Sequence, residues 1–216
     1  MMAGLTHESR NALQRSKACL EMLTLEVQDR PIALDLIERL EKAQHHLERL
    51  YEEVRSYAAP ITLAREPCDL AHLWREVWSQ LETVHAAKSI QFHEDTAGVD
   101  LTCPVDRFAL GQVIRNILEN AVGAMSAGGE IFVRCRLTTV DGQSALEVSF
   151  RDTGPGLTPE QRQRIFEPFF TTKTKGTGLG MAIAKRIIDS HGGRIFVRDR
   201  SPPGAEIVLV LPRETS

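Results

Sequence analysis

Apolar residues recur along residues 5–58 at spacings of three, four and seven: Leu5, Ala12, Ser16, Leu20, Leu23 and Val27, then Leu34, Ile37, Leu40, Ala43, Leu47, Leu50, Val54 and Tyr57. That is one stripe at helical period, with Glu, Arg and Gln filling the remaining positions. The polar break Gln28-Asp29-Arg30-Pro31 divides the stripe, and Pro31 suits the first turn of a second helix. Each helix is expected to be about 22–27 residues long, or roughly 33–40 Å. Two helices alone bury too little apolar surface to stand in water. The missing cover is either a second copy of the hairpin, giving a four-helix bundle, or the rest of the same chain.

The pattern changes between Pro60 and Pro67. Ile61–Arg65 reads as a short strand. Asp69 can cap a helix reaching about Ala86, with Leu70, Leu73, Val77 and Leu81 turned inward. Ser89–His93 and Val99–Cys103 read as strands, and Asp106–Met125 as a long helix. Strands are expected at Glu130–Leu137 and Ala145–Arg151, a Gly- and Thr-rich loop at 153–176, and a helix at Leu179–Ser190. Two closing strands, Gly193–Arg198 and Ala205–Leu211, complete the chain. Strands and helices mix without βαβ alternation, which predicts an α+β fold with helices on one face of a mixed sheet. The expected division is residues 1–59 as a hairpin and 60–216 as an α/β sandwich.

Composition narrows the class. Of 216 residues, 42% are apolar and 25% charged, which is globular and excludes a disordered chain or a rod. A net charge of -3 carries no basic excess for nucleic acid. Cys19, Cys68, Cys103 and Cys135 are scattered, without a CxxC pair or a disulfide framework, so a reducing cytoplasm is the expected compartment. No apolar run approaches the ~20 residues that span a bilayer, and the opening residues are too polar for a signal peptide. No membrane contact is expected within this chain.

Four segments carry candidate chemistry. Asn116 and Asn120 are four apart on a helix face that is otherwise apolar. Such amides are often solvated or bonded back to the helix; as a pair, their oxygens can hold a hydrated Mg²⁺. Asp152-Thr153-Gly154-Pro155-Gly156 follows an apolar strand. It reads as a surface turn, or as a carboxylate placed to accept from an exocyclic amine such as adenine N6, with glycines that let a flat ring approach. Phe166-Glu167-Pro168-Phe169-Phe170 is either core or an exposed docking patch. Gly176-Thr177-Gly178-Leu179-Gly180 opens a helix, where backbone N–H groups form an anion site. It is neither the dinucleotide fingerprint nor a Walker loop.

Taken in this order, the segments resemble the N, G1, F and G2 boxes of sensor histidine kinases, whose ATP-binding domain has the Bergerat fold shared with gyrase B and MutL. His7-Glu8-Ser9-Arg10-Asn11 resembles the H box. The wording PFFTTK…GTGLGMAIAK is most similar to the nitrogen-regulation and dicarboxylate-sensing subclass. The resemblance implies a dimerisation and phosphotransfer hairpin followed by a catalytic ATP-binding domain, with ATP and Mg²⁺ as cofactors. Asp152 would bind adenine, with Gly154 and Gly156 beside the ring. Asn120, helped by Asn116, would hold Mg²⁺. Residues 157–175 would form an ATP lid, mobile without nucleotide, with Lys173 facing the γ-phosphate. Gly176, Thr177, Gly178, Leu179 and Gly180 would surround the phosphates. His7 would be the phosphoacceptor, with Glu8 taking the imidazole proton. Asn11, one turn from His7, would position water for dephosphorylating a response regulator.

The implied function is ATP-dependent autophosphorylation on His7, then transfer to an aspartate of a response-regulator receiver domain, by a homodimer. Two readings compete: a Bergerat-fold ATPase and a nucleotide-sensing scaffold. The ATPases carry a Glu at the first Asn position, and Asn116 cannot act as a base. Two departures stand out. Ala12 occupies a position where the family often bends at Pro, so the first helix is expected to continue. Glu206 stands where Thr is common. Only six residues precede His7, so the chain is expected to be the cytoplasmic core of a longer sensor, which can be membrane-anchored, or one with a separate sensory protein.

Overall fold

The computed structural model describes residues 2–96, 98–126, 128–173, 176–199 and 204–214, with side chains from residue 11 onward, Arg49 excepted. The chain divides into two compact units, Met1–Ala58 and Ala59–Ser216.

The first unit is a helical hairpin. Helix α1 spans Met2–Glu26 and passes through Ala12 without a break. Helix α2 spans Pro31–Ala58 with Pro31 as its first residue. The Gln44 side-chain amide donates to Leu13 O at 2.6 Å and ties the two together. Ile37 is the buried apolar side chain of this unit among the described residues. Met22, Leu25, Ile32, Leu36, Leu40 and Leu47 are all more than half exposed.

The second unit begins with strand β1, Glu66–Asp69, followed by α3, Leu70–Gln80, and a short α4, Glu82–Ala86. Asp69 caps α3 through the amides of Ala71 and His72. Next come β2, Ile90–Asp95, β3, Thr102–Val105, and the long α5, Arg107–Ala124, capped by Asp106. Strands β4, Gly129–Val140, and β5, Gln143–Asp152, form a hairpin. Its turn residues Asp141 and Gly142 both have positive φ, the pattern of a two-residue type I′ turn. Helices α6, Pro159–Arg164, and α7, Gly180–Ser190, precede β6, Arg194–Val197, and β7, Glu206–Pro212.

The main sheet has the order β2-β4-β5-β7-β6, with β2 parallel to β4 and the other neighbours antiparallel. Helices α3, α5 and α7 pack side by side on one face, α5 in the middle. The core lies between them and Ile131, Val133, Val148, Phe150, Leu209 and Leu211. Trp74 of α3 meets Phe150 edge-on, ring centroids 6.4 Å apart. The α+β expectation holds in this helix-on-sheet form.

The strand expected at Ile61–Arg65 is not one; pairing starts at Glu66 and runs Glu66↔Val105, Pro67↔Pro104, Cys68↔Cys103, Asp69↔Thr102. Pro67 and Pro104 face each other. In an antiparallel ladder every second pair exchanges no N–H bond, so two prolines there cost no hydrogen bond. The helix expected from Asp69 to Ala86 is broken at Leu81, and α6 lies inside the segment read as a loop.

The face opposite the helices answers the question of Glu206. Strand alternation puts Glu147 and Glu206 there, beside a small buried apolar cluster of Val140, Ala145, Val208 and Val210. Arg198 donates to Glu206 at 2.7 Å and bridges to Glu147, which also takes two 2.7 Å bonds from Arg136. Burial pushes the Glu147 carboxyl up, but the two guanidiniums outweigh it and hold it below its ordinary range. Glu206 is therefore part of a charge network, not an exposed substitution.

Candidate functional site

The end of β5 carries Asp152, 8% exposed. Its Oδ1 accepts from the amides of Gly154 at 2.8 Å and Ala205 at 3.2 Å. Its own N–H donates to Ala205 O at 3.0 Å. The DTGPG segment is thus a buried, pre-set carboxylate and not a surface turn. Burial pushes this carboxyl above the usual Asp value, against the opposing pull of the Gly154 and Ala205 amides. Gly204 makes the close approach possible. It has φ +97°, and a Cβ there would lie 1.8 Å from Asp152 O.

Asp152 sits at a narrow cavity of about 60 Å³. Ile117, Ala121 and Ala124 of α5 line it together with Phe150, Gly156, Leu157, Ile165, Met181, Ala205 and Ile207; Asn120 and Asp152 are its polar side chains. An apolar slot with one buried acceptor suits a flat heteroaromatic ring bearing an exocyclic amine. A larger cavity of about 450 Å³ lies at the other end of α7, by Arg65, Asp141, Asp189, His191 and Glu214. Its groups are committed to the fold. Arg65 donates to Ser190 O and Lys185 pairs with Asp189. His191 bonds Ile187 O through Nδ1, and its Nε2 accepts from the Asp106 amide. Burial lowers the His191 pKa, keeping the ring neutral in that double role.

The two asparagines behave differently. Asn116 donates from Nδ2 to Gly180 O at 2.7 Å, tying α5 to the first residue of α7. Asn120 presents Oδ1, and Lys173 Nζ donates to it at 2.7 Å. That oxygen therefore accepts from a cationic donor. Burial lowers the Lys173 pKa; Glu119 opposes this and Lys88 adds to it. Glu119 itself is exposed. Lys88 donates to Val122 O and Met125 O, both at 2.8 Å, at the carbonyl end of α5.

The glycine run meets the other half of its segment. Phe169 N–H donates to Gly178 O at 3.1 Å. Gly178 has φ +72°, and a Cβ there would lie 2.5 Å from the Phe169 carbonyl carbon. Phe169 also has positive φ, +65°, and is 64% exposed. The aromatic patch is therefore not core. Arg164 lies over the Phe170 ring at 4.4 Å. Thr177 Oγ1 accepts from the buried Leu179 amide at 3.3 Å, and Gly176 N–H donates to Lys173 O at 3.1 Å.

The structure thus brings together Asn116, Asn120, Asp152, Gly154, Gly156, Lys173 and the 176–180 segment, all in the second unit. Of the expected lid, Thr174 and Lys175 lie outside the described residues. So do the side chains of His7 and Glu8, although both positions are helical in α1; Asn11 is exposed on that helix. Sequence reasoning missed Gly204 and Ala205. A Gly followed by a short apolar strand was the only available signal, and the pairing partner was not legible. Among the described residues no cluster of His, Cys, Asp or Glu could hold a metal. Burial pushes Cys103 up to about 11 and Cys135 to about 12, which makes those thiols inert at neutral pH. No helix of the described residues is long and apolar enough to cross a membrane.

Comparison with known proteins places this geometry. Residues 105–215 match the family of histidine kinase-, DNA gyrase B- and HSP90-like ATPases, and the chain belongs to that family. Over 212 residues it is 32% identical to the signal transduction histidine-protein kinase AtoS of Escherichia coli K12, covering 98% of this chain and 34% of AtoS. It is similar in structure to full-length ShkA, solved in complex with AMPPNP. The TM-score is 0.81 and the identity 29%, covering 99% of this chain and 46% of ShkA. It is also similar to the histidine kinase ThkA in complex with the response regulator TrrA. Here the TM-score is 0.71 and the identity 27%, covering 99% of this chain and 61% of that one. The chain spans about a third to a half of the length of the curated relatives it matches.

Proposed function

We propose that this chain is the kinase core of a two-component sensor: it binds Mg-ATP, phosphorylates its own His7 and passes the phosphoryl group to an aspartate of a response regulator. The observation that carries the reading is the buried Asp152 acceptor and the Asn120 oxygen, both on one cavity beside the glycine-rich start of α7. The adenine amine would donate to Asp152, and the apolar walls would hold the ring. Bound Mg²⁺ would neutralise charge on the phosphates, with Asn120 among its oxygen ligands and Asn116 bracing Gly180 behind it. The His7 nitrogen would take the γ-phosphoryl group, with ADP as the leaving group and Glu8 accepting the imidazole proton. Asn11 would hold the water that dephosphorylates the regulator.

Residues 1–59 act in this reading as the dimerisation and phosphotransfer hairpin, and 60–216 as the ATP-binding domain. The exposed apolar residues of α1 and α2 support a homodimer of four helices. The nitrogen-regulation and dicarboxylate-sensing subclass is supported by the PFFTTK and GTGLGMAIAK segments. A cytoplasmic location, as part of a longer sensor, follows from the same reading. The competing ATPase reading needs a base where Asn116 stands, and that amide is committed to Gly180 O. The test is incubation with γ-labelled ATP. Acid-labile, alkali-stable label is expected in the parent protein and none in His7→Gln, with nucleotide affinity unchanged. Label that persists in His7→Gln moves the acceptor elsewhere, and phosphate release without label supports the ATPase.

A further inference from the structure

Gly123 lies three residues after Asn120 on the same side of α5. A Cβ at Gly123 would lie 3.0 Å from Lys173 Nζ and 3.6 Å from its Cε. The missing side chain leaves a notch along the helix, and the Lys173 stem fills it. At the end of the notch the ammonium meets Asn120 Oδ1 at 2.7 Å. The backbone around Lys173 is held as well. Its N–H donates to Thr171 Oγ1 at 3.1 Å, and its carbonyl accepts from Gly176. Phe169 is bonded to Gly178, and Gly180 is braced by Asn116. One cation is therefore linked through short hydrogen bonds to the segment whose amides open α7.

Resting on the reading that Asn120 is a divalent-ion ligand, we propose that Lys173 is a tethered cation for Asn120 Oδ1. It links residues 169–173 to α5 and yields the oxygen when the divalent ion arrives, with Gly123 as the positioning residue that shapes its seat. An ammonium at hydrogen-bond distance and a Mg²⁺ at about 2.1 Å need the same space in front of that oxygen. The two compete, so the metal requirement of nucleotide binding includes release of the lysine. The freed ammonium then becomes available to phosphate, and the segment is released from α5 only when a replacement cation is present.

Two measurements on the full chain test this. The first is hydrogen exchange without nucleotide or metal. Lys173→Gln, which removes the charge, and Gly123→Val, which fills the notch, should each speed exchange at the amides of residues 169–173 by about tenfold, while Lys173→Arg stays near the parent. The second is the Mg²⁺ concentration giving half-maximal binding of a fluorescent ADP, a ligand without a γ-phosphate. It should fall about threefold or more in Lys173→Gln and Gly123→Val. Parent-like exchange in both variants overturns the seat. A Mg²⁺ midpoint that is unchanged or rises overturns the competition. If the parent protein binds no ADP analogue, the nucleotide reading fails, and the exchange measurement still judges the seat by itself.

Discussion

The hairpin and the α/β unit handle apolar surface in opposite ways. In the second unit Trp74, Leu110, Leu118, Ile131, Leu146 and Leu209 are all almost wholly buried within that unit. In the hairpin Ile37 alone is buried among the described residues, while Ile32 is 81% exposed and Leu25 69%. Both regions have regular apolar periodicity. Only one closes a core by itself, and by burial of apolar area that is the difference between a self-stable unit and one that needs company. Function follows the same division. The buried carboxylate and the glycine turns sit on the unit with the buried core, and the proposed nucleophile sits on the hairpin.

The strongest way to break this contrast is to charge the hairpin's apolar face. Leu36→Asp with Leu40→Asp should abolish the concentration-dependent part of thermal unfolding and make the protein monomeric by sedimentation, leaving the second unit's transition in place. A concentration-independent parent would mean the hairpin finds its cover another way. The next effect is confined to the other unit. Glu147→Ala removes the shared acceptor of Arg136 and Arg198, while Arg136 stays solvated and Arg198 keeps Glu206, and should remove about 2 kcal/mol from its unfolding free energy, measured by denaturant titration.

A smaller, conditional effect concerns pH. The folded pKa of Asp152 is raised, so its ionisation opposes folding at neutral pH, and that opposition is relieved as pH falls through the raised value. Nucleotide affinity goes the other way. It should be flat above the folded pKa and fall about tenfold per pH unit below it, beginning above the pH at which an exposed Asp titrates. Calorimetric titration across pH checks this, and Asp152→Asn should give a weak, pH-flat profile. The smallest effect is local. Thr158 and Gln161 form a reciprocal cap on α6, so Thr158→Ala should cost about 1 kcal/mol of local stability. Faster exchange should be limited to residues 159–165.

Much of this division is legible in the amino-acid sequence. Long periodic stripes predicted α1, α2, α5 and α7 because amphipathic helices write their period over many residues. The strand at 66–69 was displaced because Pro67 reads as a breaker, and only its partner Pro104 shows that no ladder bond is lost. Helix α6 carried its signal openly in Thr158-Pro159-Glu160-Gln161, a capping box with Pro at the first turn, but its six residues are too few for periodicity to reveal. At the site, residue types predicted Asp152 and Asn120. The contacts that set them, Gly204 against Asp152 and Lys173 against Gly123, join positions 52 and 50 residues apart in sequence and have no local signature.

The tight Asp141-Gly142 turn has a consequence for how the second unit assembles. It joins the two longest strands of the sheet, so their ten register pairs form with the shortest possible loop closure. Strand β2 must instead pair in parallel with β4 across the whole of α5, and β7 pairs with β5 across the glycine-rich segment, α7 and β6. By loop closure the β4–β5 ribbon is thus the cheapest part of the sheet to nucleate, whereas β2 must close across α5. Asp152 is the final residue of that ribbon. The Asp152 carboxylate is therefore carried on a locally closed hairpin, while the Gly204–Ala205 backbone that locks it comes from the far end of the chain, so the carboxylate is fully held only once β7 has paired with β5.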